Sequence, residues 1–456
     1  MKRWMWLGLV AVAVVAAAIS IIALPKGPEW TTSSPEALAE FELALQARMK
    51  LYHADTIAHL EKAVELDPDF VMAQLLLSDY AKYEEETNAE ELLAKALEAD
   101  VGSLRPRERC YIERARAIRD KRPEDAERLL TEYRERYPND PYALESAASL
   151  AFQRGDNENA ERLYRRLIEI GPNWVIAYNQ LGYLTMFQAR FAEAEEYFTS
   201  YRFIAPDQAN PHDSLGELYI ILGRLPEAVQ SFETAVKIRP DFWDSYAHLV
   251  FARTLLGDYA GAAQAAAAVE GVPSCPAKLP QSLGCLGTCL ELELSERWQD
   301  ALALQTSPCV LDASPLDLCT RVEHRAACQL GDWPVAEAIE AKLQAYADES
   351  KAKGASMYVD EARTNLLHMQ GVRLALSGDL AAAEKAFTEA DGNLAYYNSF
   401  VGLFKLCNRL FLVETLLAQG RDAEAHQLLA KVRAVNPWLV ASFEESGLKL
   451  MGLPRG

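Results

Sequence analysis

Signatures of common enzyme families are missing from this chain. Its 456 residues contain no P-loop, no HExxH zinc motif, no GxSxG nucleophile elbow and no dinucleotide-type glycine string. The seven histidines are scattered along the sequence. His53 and His59, for example, are six residues apart, a spacing that does not place them on one helical face. The sequence therefore predicts a protein that is not an enzyme and that has no catalytic residues and no cofactor.

The chain also has fewer basic residues than acidic residues. Lys and Arg number 46 against 66 Asp and Glu, which gives a formal net charge of -20. Surfaces that bind nucleic acid are basic because they neutralise phosphates, so this balance argues against a nucleic-acid partner. Acidic side chains keep an exposed helical surface soluble, and they permit a neutral or basic protein partner.

Two consecutive segments, 175–208 and 209–242, follow one 34-residue pattern. It places small residues where two helices approach, a large aromatic between neighbouring helix pairs, and a proline where the second helix ends. In the second segment the key residues are Leu215, Gly216, Tyr219, Ala228, Phe232 and Pro240, and in the first they are Leu181, Gly182, Ala194, Phe198 and Pro206. This spacing resembles the tetratricopeptide repeat, a helix–turn–helix unit whose neighbours bury one another's apolar faces.

The resemblance implies an all-α, right-handed superhelical solenoid of about eleven helical hairpins. Residues 37–276 form the regular array, because prolines recur at the end of each unit. Residues 277–441 are expected to be divergent hairpins that contain cysteines, and residues 442–456 a C-terminal cap or tail.

An uncharged run of 21 residues, Trp4–Leu24, lies near the start of the sequence. As a helix it would span ~31 Å, about the thickness of a bilayer core. Lys2 and Arg3 precede it, and the positive-inside rule then places the following chain outside the cytoplasm. We expect residues 1–24 to be an uncleaved single-pass anchor in a bacterial inner membrane, 25–36 a polar linker and the remainder periplasmic. A cleaved signal peptide is the alternative.

Six of the eight cysteines lie where the repeat is weakest. They are Cys275, Cys285, Cys289, Cys309, Cys319 and Cys328. In a chain that faces outward, an even cluster predicts disulfides, and Cys309 with Cys319 is one pairing that would clip two helices together. Buried thiols in a cytoplasmic protein are the alternative. A metal site is disfavoured because no CxxC motif and no neighbouring histidine pair occurs.

Tetratricopeptide repeats typically line a concave wall with positions 2, 5, 9, 12 and 13 of each unit. Carried over residue by residue, the predicted partner-binding groove contains Tyr142, Glu145, Asn179, Tyr183, Phe187, Asn210, Asp213, Glu217, Asp244 and Phe251. Aromatic rings supply contact area, and Asn can both donate to and accept from a peptide backbone. The resemblance implies that this groove takes an extended, neutral-to-basic segment of another protein.

The third repeat unit is rich in arginine. Its basic residues are Arg105, Arg107, Arg109, Arg114, Arg116, Arg119, Lys121 and Arg122. Acidic residues alternate with them, so we expect ion pairs within the helices. A patch for anionic lipid or an acidic partner is the alternative.

These observations predict a non-enzymatic, membrane-anchored protein-binding scaffold at the outer face of the inner membrane, with no small-molecule substrate. The alternative is an accessory or sensor subunit of a bacterial signalling system of the kinase or cyclase type, because similar repeats are attached to such enzymes. No kinase or cyclase motif is present in the sequence, so that role would also require a partner.

Overall fold

The computed structural model describes residues 29–83, 88–272, 275–307, 309, 318–352 and 356–455. The predicted anchor at residues 1–24 and the first part of the predicted linker lie outside the described residues. Within the described ranges, every helix is too short or too polar to cross a bilayer.

The described residues form 23 α-helices and no β-strand. In the first part of the chain they are α1 (Pro35–Met49), α2 (His53–Leu66), α3 (Val71–Tyr83), α4 (Ala89–Leu97), α5 (Pro106–Arg119), α6 (Pro123–Arg136), α7 (Pro141–Gln153) and α8 (Asn157–Ile170). Then follow α9 (Val175–Phe187), α10 (Phe191–Ile204), α11 (Asn210–Ile221), α12 (Leu225–Ile238), α13 (Trp243–Leu255), α14 (Tyr259–Ala268), α15 (Leu279–Leu294) and α16 (Trp298–Leu302). The last are α17 (Leu318–Leu330), α18 (Trp333–Ala352), α19 (Ser356–Ser377), α20 (Leu380–Asn393), α21 (Ser399–Ala418), α22 (Asp422–Val435) and α23 (Pro437–Glu445).

Contacts join ten successive pairs of helices in the described chain: α1–α2, α3–α4, α5–α6, α9–α10, α11–α12, α13–α14, α15–α16, α17–α18, α19–α20 and α21–α22. The last helix, α23, packs against α22. The all-α prediction is therefore confirmed for the described residues. The chain divides into two compact units, one ending at Leu144 and the other beginning at Glu145, inside α7. The first unit contains the hairpins α1–α2, α3–α4 and α5–α6. Within each unit, adjacent helices pack against one another.

A glycine on the first helix and an aromatic ring on the second set the spacing of several hairpins. A Cβ atom at Gly216 would overlap the ring of Phe232, and Gly182 faces Phe198 in the same way. Phe232 therefore packs within its own hairpin, and its ring also lies 5.2 Å from that of His248 in the next one. Two helices that approach this closely exclude water from the seam between them.

Glycines mark the turns of three divergent hairpins. Gly331, Gly378 and Gly420 each end a first helix with a positive φ, a conformation that costs glycine little. Three helices here are longer than those of the regular array, since α18 has 20 residues, α19 has 22 and α21 has 20. This extra length interrupts the 34-residue period from α18 onward.

Two disulfides join the region between α15 and α17. Cys285 is bonded to Cys309 and Cys289 to Cys319, each with a Cα–Cα distance of 5.3 Å. The predicted pairing of Cys309 with Cys319 is therefore wrong. Cys285 and Cys289 lie one helical turn apart on α15, so that helix supplies one sulfur to each bond.

The other candidate disulfide residues, Cys275 and Cys328, are free thiols in the structure. Cys110 and Cys407 are free as well. The prediction of disulfides is thus confirmed for four of the six cysteines in the cluster.

The C-terminal tail packs against the helical array. The carboxylate of Glu414, on α21, accepts the backbone N–H groups of Leu450, Met451 and Leu453 at 2.6, 2.7 and 2.8 Å. The last helix, α23, begins at Pro437, and the residues after Glu445 contact the array through this carboxylate and through Arg325 and Gln329.

Candidate functional site

Most residues of the predicted groove are buried within the second unit. Asn179, Asn210, Asp213 and Glu217 are each no more than 4% exposed. The reason is that α21 packs against α11 and covers the first helices of this part of the array. The chain itself therefore fills the part of the groove where the sequence places a partner.

Glu217 forms the main polar contact between the groove and this cover. Its Oε1 accepts the backbone N–H of Ser399 at 3.0 Å, and its Oε2 accepts the hydroxyl of Tyr183 at 2.6 Å. The Nε2 atom of His248 lies 3.4 Å from Oε1. On the other side of the imidazole, Nδ1 lies 3.0 Å from Asp213. His248 is thus placed between two buried carboxylates.

This arrangement shifts the pKa values of the histidine, the glutamate and the tyrosine. Burial lowers the pKa of His248, but Asp213 and Glu217 oppose it more strongly, and the resulting pKa is about 9. Burial, together with the negative charge of Asp213, raises the pKa of Glu217. Burial and Glu217 raise the pKa of Tyr183 well above its usual value. His248 therefore carries a positive charge at neutral pH, and that charge offsets the repulsion between the two carboxylates.

Apolar contacts continue this interface. The ring of Phe400 lies 4.7 Å from that of Phe251, one of the predicted groove aromatics. A Cβ atom at Gly402 would overlap Ile221. Asn436, just before α23, donates from Nδ2 to the carbonyl oxygens of Ile220 and Ile221 at 3.3 and 3.0 Å, and so satisfies the end of α11.

Four aromatic residues, which we call the aromatic edge, lie where this cover begins. Phe187 contacts Tyr397 with ring centroids 4.9 Å apart, and Phe191 contacts Tyr396 at 5.0 Å. Tyr397 is 54% exposed, so this edge remains accessible although the groove behind it is filled.

The remaining predicted groove residues have other surroundings. Glu145 accepts the indole N–H of Trp174 at 2.8 Å, and Asn210 donates to the hydroxyl of Tyr201 at 3.2 Å. Asp244 is exposed. These residues do not join the cluster around Glu217, although Asp244 helps to raise the pKa of His248.

In the first unit, the segment 29–34, which we call the N-terminal strap, packs against the helices. Trp30 is 3% exposed, and its ring lies 5.2 Å from Phe41 and 5.3 Å from Tyr142, another predicted groove residue. Glu108 accepts the backbone N–H of Thr31 at 2.6 Å. This part of the predicted linker is therefore a packed segment, and sequence reasoning missed it although a tryptophan in a linker is itself a signal of burial.

The arginines of the third repeat contact neighbouring segments more often than they contact acidic residues on their own helix. Arg116 donates to the carbonyl oxygens of Leu97 and Ala99 at 2.7 and 2.8 Å, and Arg107 pairs with Asp140 at 2.8 Å. The expectation of pairs within one helix is wrong for these two residues, which instead join adjacent helices.

Two segments of the chain, residues 116–173 and 211–242, match models of the tetratricopeptide repeat family. No protein of curated function matches the chain. Among solved structures, it is similar to MamA from Desulfovibrio magneticus RS-1, with 23% identity over 35% of this chain and 91% of that one and a TM-score of 0.32. It is also similar to a tetratricopeptide repeat protein from Parabacteroides merdae, with 15% identity over 59% of this chain and 98% of that one and a TM-score of 0.42. The two family matches alone identify tetratricopeptide repeats, in residues 116–173 and 211–242, and such repeats support a protein-interaction scaffold.

Proposed function

We propose that this protein is a non-enzymatic scaffold, anchored in a bacterial inner membrane by residues 1–24, that holds a partner protein at the outer face. The observation that carries the proposal is that a buried carboxylate in each unit binds the backbone of an extended segment. Glu108 and Glu217 each accept a backbone N–H from a segment of the same chain, Thr31 in one unit and Ser399 in the other. The backbone part of each contact does not depend on the side chain, although each carboxylate also accepts the hydroxyl of the same Thr or Ser, so this kind of wall suits an extended segment of another protein.

The partner is proposed to bind first at the aromatic edge. The rings of Phe187 and Tyr397 contact each other at a tilt of 45° beside the filled groove, and Tyr397 is the more exposed of the two. Exposed aromatic rings give large contact areas with little loss of side-chain entropy, which is why they are common at the centres of interfaces. A partner that bound deeper would have to displace the start of α21 from Glu217.

The disulfides support the outer location. Two bonds, Cys285–Cys309 and Cys289–Cys319, are typical of chains that fold in an oxidising compartment such as the periplasm. The uncharged run before Pro25 supports the anchor, because its length suits one crossing of a bilayer.

Site-specific photo-crosslinking in intact membranes tests the partner site. A benzophenone amino acid at Tyr397 is expected to form an adduct with another protein. The same amino acid at Phe203, which is 85% exposed on the second helix of its hairpin, is the matched control and is expected to give little adduct. Equal yields at the two positions, or none at Tyr397, would contradict the proposal. An envelope protein in the adduct supports the scaffold role, whereas a kinase or cyclase supports the alternative of a signalling subunit.

The location has its own test. A phosphatase that is active only after export, fused after Gly456, is expected to be active in cells. If the phosphatase fusion is inactive and a reporter that is active only in the cytoplasm works at the same position, the proposed orientation is wrong. The crosslinking result does not depend on this outcome.

A further inference from the structure

A separate cavity lies in the second unit between α13, α15, α17, α19, α21 and α23. Its volume is about 330 Å³, roughly twice that of an engineered apolar cavity of ~150 Å³ that binds benzene. Leucines form much of its wall, together with six aromatic side chains: Phe251, Phe400, Phe404, Phe411, Trp438 and Phe443. Protein interiors contain few voids larger than a water molecule, so a space of this size is exceptional in a packed core.

Arg325, on α17, lines this cavity, but its charge is paired. Nη1 donates to Oε1 of Glu293 at 2.6 Å, and Nη2 donates to the carbonyl oxygen of Leu450 at 2.7 Å. The guanidinium carbon lies 5.0 Å from the ring centroid of Trp298 and 4.9 Å from that of Phe411. Although Nε has no acceptor in the described part of the chain, the carboxylate of Glu293 neutralises the group.

Arg321, one helical turn earlier on α17, has partners of its own. Its Nη1 donates to Oδ1 of Asn365 at 3.3 Å, and its guanidinium carbon lies 4.2 Å from the centroid of the Phe404 ring. Burial raises the pKa of Glu361, and the charge of Arg321 opposes that rise, so these two groups also interact. The charges of both lining arginines are therefore compensated by the protein itself.

The other titratable groups of the lining add no net charge. Burial lowers the pKa of His368 to about 3, and its Nδ1 lies 2.9 Å from Oδ1 of Asn408, so this imidazole is neutral. Burial raises the pKa of the Cys407 thiol to about 12, so it is uncharged at neutral pH. Glu296 and Lys449 have opposite charges, and both are exposed to water. An ion inside the cavity would lose its hydration without gaining a charged partner.

We propose that this cavity binds an uncharged, mainly aromatic small molecule of about two fused rings. The volume sets this size, because it is roughly twice a space that holds one benzene ring. The aromatic wall favours a flat ring system, since ring pairs contribute beyond the area that they bury. A rigid molecule also loses less conformational freedom on binding than a flexible chain does. The site is independent of the proposed scaffold function, because none of the four residues of the aromatic edge lines it.

Thiol protection in the full chain, held in lipid nanodiscs, tests this site. Cys407 is a free, half-buried thiol of the lining, so a bound molecule should shield it from N-ethylmaleimide. The probe is 2-naphthalenemethanol, and peptide mapping follows each cysteine. At ten times its dissociation constant the probe is expected to slow modification of Cys407 roughly tenfold. Cys275, a free thiol outside the lining, should keep its rate. No protection of Cys407, or equal slowing at Cys275, would overturn the site.

Three analogues of the probe test the chemical class. 2-Naphthoate and 2-naphthylmethylammonium have the same rings with a negative or a positive charge. Each is expected to need a free concentration at least roughly tenfold higher for the same protection, because burial of an unpaired ion is costly. Equal protection by either ion would overturn the uncharged ligand. Undecanol has the same number of carbons in a flexible chain, and it should protect less; stronger protection by undecanol would overturn the aromatic class.

Variants separate the cavity from general lipid contact. Leu439→Trp, inside the lining, is expected to fill part of the cavity and to abolish protection of Cys407 by the alcohol. Leu294→Trp places the same ring at a lining position that is 46% exposed, so it should narrow the entrance without disturbing the fold. Leu66→Trp, exposed in the first unit, is the matched control and should keep the protection. Undiminished protection in either lining variant, at a wild-type thermal unfolding temperature, would refute the site.

Discussion

The carboxylate of Glu217 accepts a hydrogen bond from the backbone N–H of Ser399, which lies 182 residues further along the chain. Repeat arrays are usually stabilised by contacts between neighbouring units. Here a residue in the middle of the array depends on a helix near the C-terminus, and several groups meet at that one carboxylate.

Replacing Glu217 with Ala is expected to destabilise the second unit strongly. The substitution leaves the hydroxyl of Tyr183, the N–H of Ser399 and the charged ring of His248 without their acceptor in a buried place. We expect a loss of about 3–5 kcal/mol in the free energy of unfolding. Urea unfolding measures the loss, and hydrogen exchange at Ser399 should become faster.

Glu227→Ala is the matched control for that substitution. Glu227 makes an exposed pair with Arg224, and such pairs contribute less than about 1 kcal/mol. If both variants lost the same amount, Glu217 would be a surface charge like any other, contrary to its contacts in the structure.

The stability of the second unit is expected to fall in mildly alkaline solution. The folded pKa of His248, about 9, lies above the ordinary histidine value of 6.5. Its contribution is therefore complete below pH 6.5 and is lost as the pH rises through about 9. The loss is on the order of 3 kcal/mol. The folded pKa of Glu217 is also raised, so its effect on stability has the same sign: the free energy of unfolding falls as the pH rises, but over a lower pH range.

Unfolding free energies measured in urea from pH 6 to 10 test this dependence. His248→Gln is expected to flatten the decline, because it removes the proton that the folded state retains. His426→Gln, at an exposed position, should keep the decline of the wild-type protein. An identical pH profile for the wild-type protein and His248→Gln would show that the histidine is not held between two carboxylates.

Gly216→Ala is expected to cost about 1–3 kcal/mol, as overpacking does in a close-packed core. The new methyl group would overlap the ring of Phe232. Gly284→Ala is the control, because nothing lies within 4 Å of its Cβ position on α15. That variant should gain roughly 0.5–1 kcal/mol from helix propensity. Thermal unfolding of both variants, and of Gly216→Ala combined with Phe232→Leu, measures these effects; the second change should restore part of the loss.

Thiol labelling of denatured protein without reductant is expected to modify four cysteines, Cys110, Cys275, Cys328 and Cys407. Reduction should expose the other four and lower the free energy of unfolding. For bonds that close 24 and 30 residues, the chain-entropy account gives about 3–4 kcal/mol each. Peptide mapping should recover Cys285 with Cys309. Eight reactive thiols before reduction would instead indicate a reducing compartment.

The parts of the fold that depend on local spacing could be predicted. Gly216 and Phe232 lie 16 residues apart in one hairpin, so helix periodicity brings them together, and the same spacing occurs at Gly371 and Phe387. The cover on the groove could not be predicted in this way. No period relates Glu217 to Ser399, because their contact depends on where the longer helices after residue 330 return to the array.

The disulfide pairing fails for a related reason. Cys309 and Cys319 are close in sequence, but α15 presents Cys285 and Cys289 on successive turns, and each sulfur is nearer to a different partner. The cysteine cluster is visible in the sequence, whereas its pairing depends on the position of α15 in space.

The hydrogen bonds from Asn436 to the end of α11 have a consequence for synthesis. A ribosome releases α11 more than two hundred residues before it releases Asn436. For most of that interval Glu217 lacks Ser399, and Ile221 lacks Asn436 throughout. The contacts in the middle of the protein are therefore completed last. A translation product that ends before Asn436 would be incompletely folded and accessible to chaperones and proteases, and it would not be a shorter functional array.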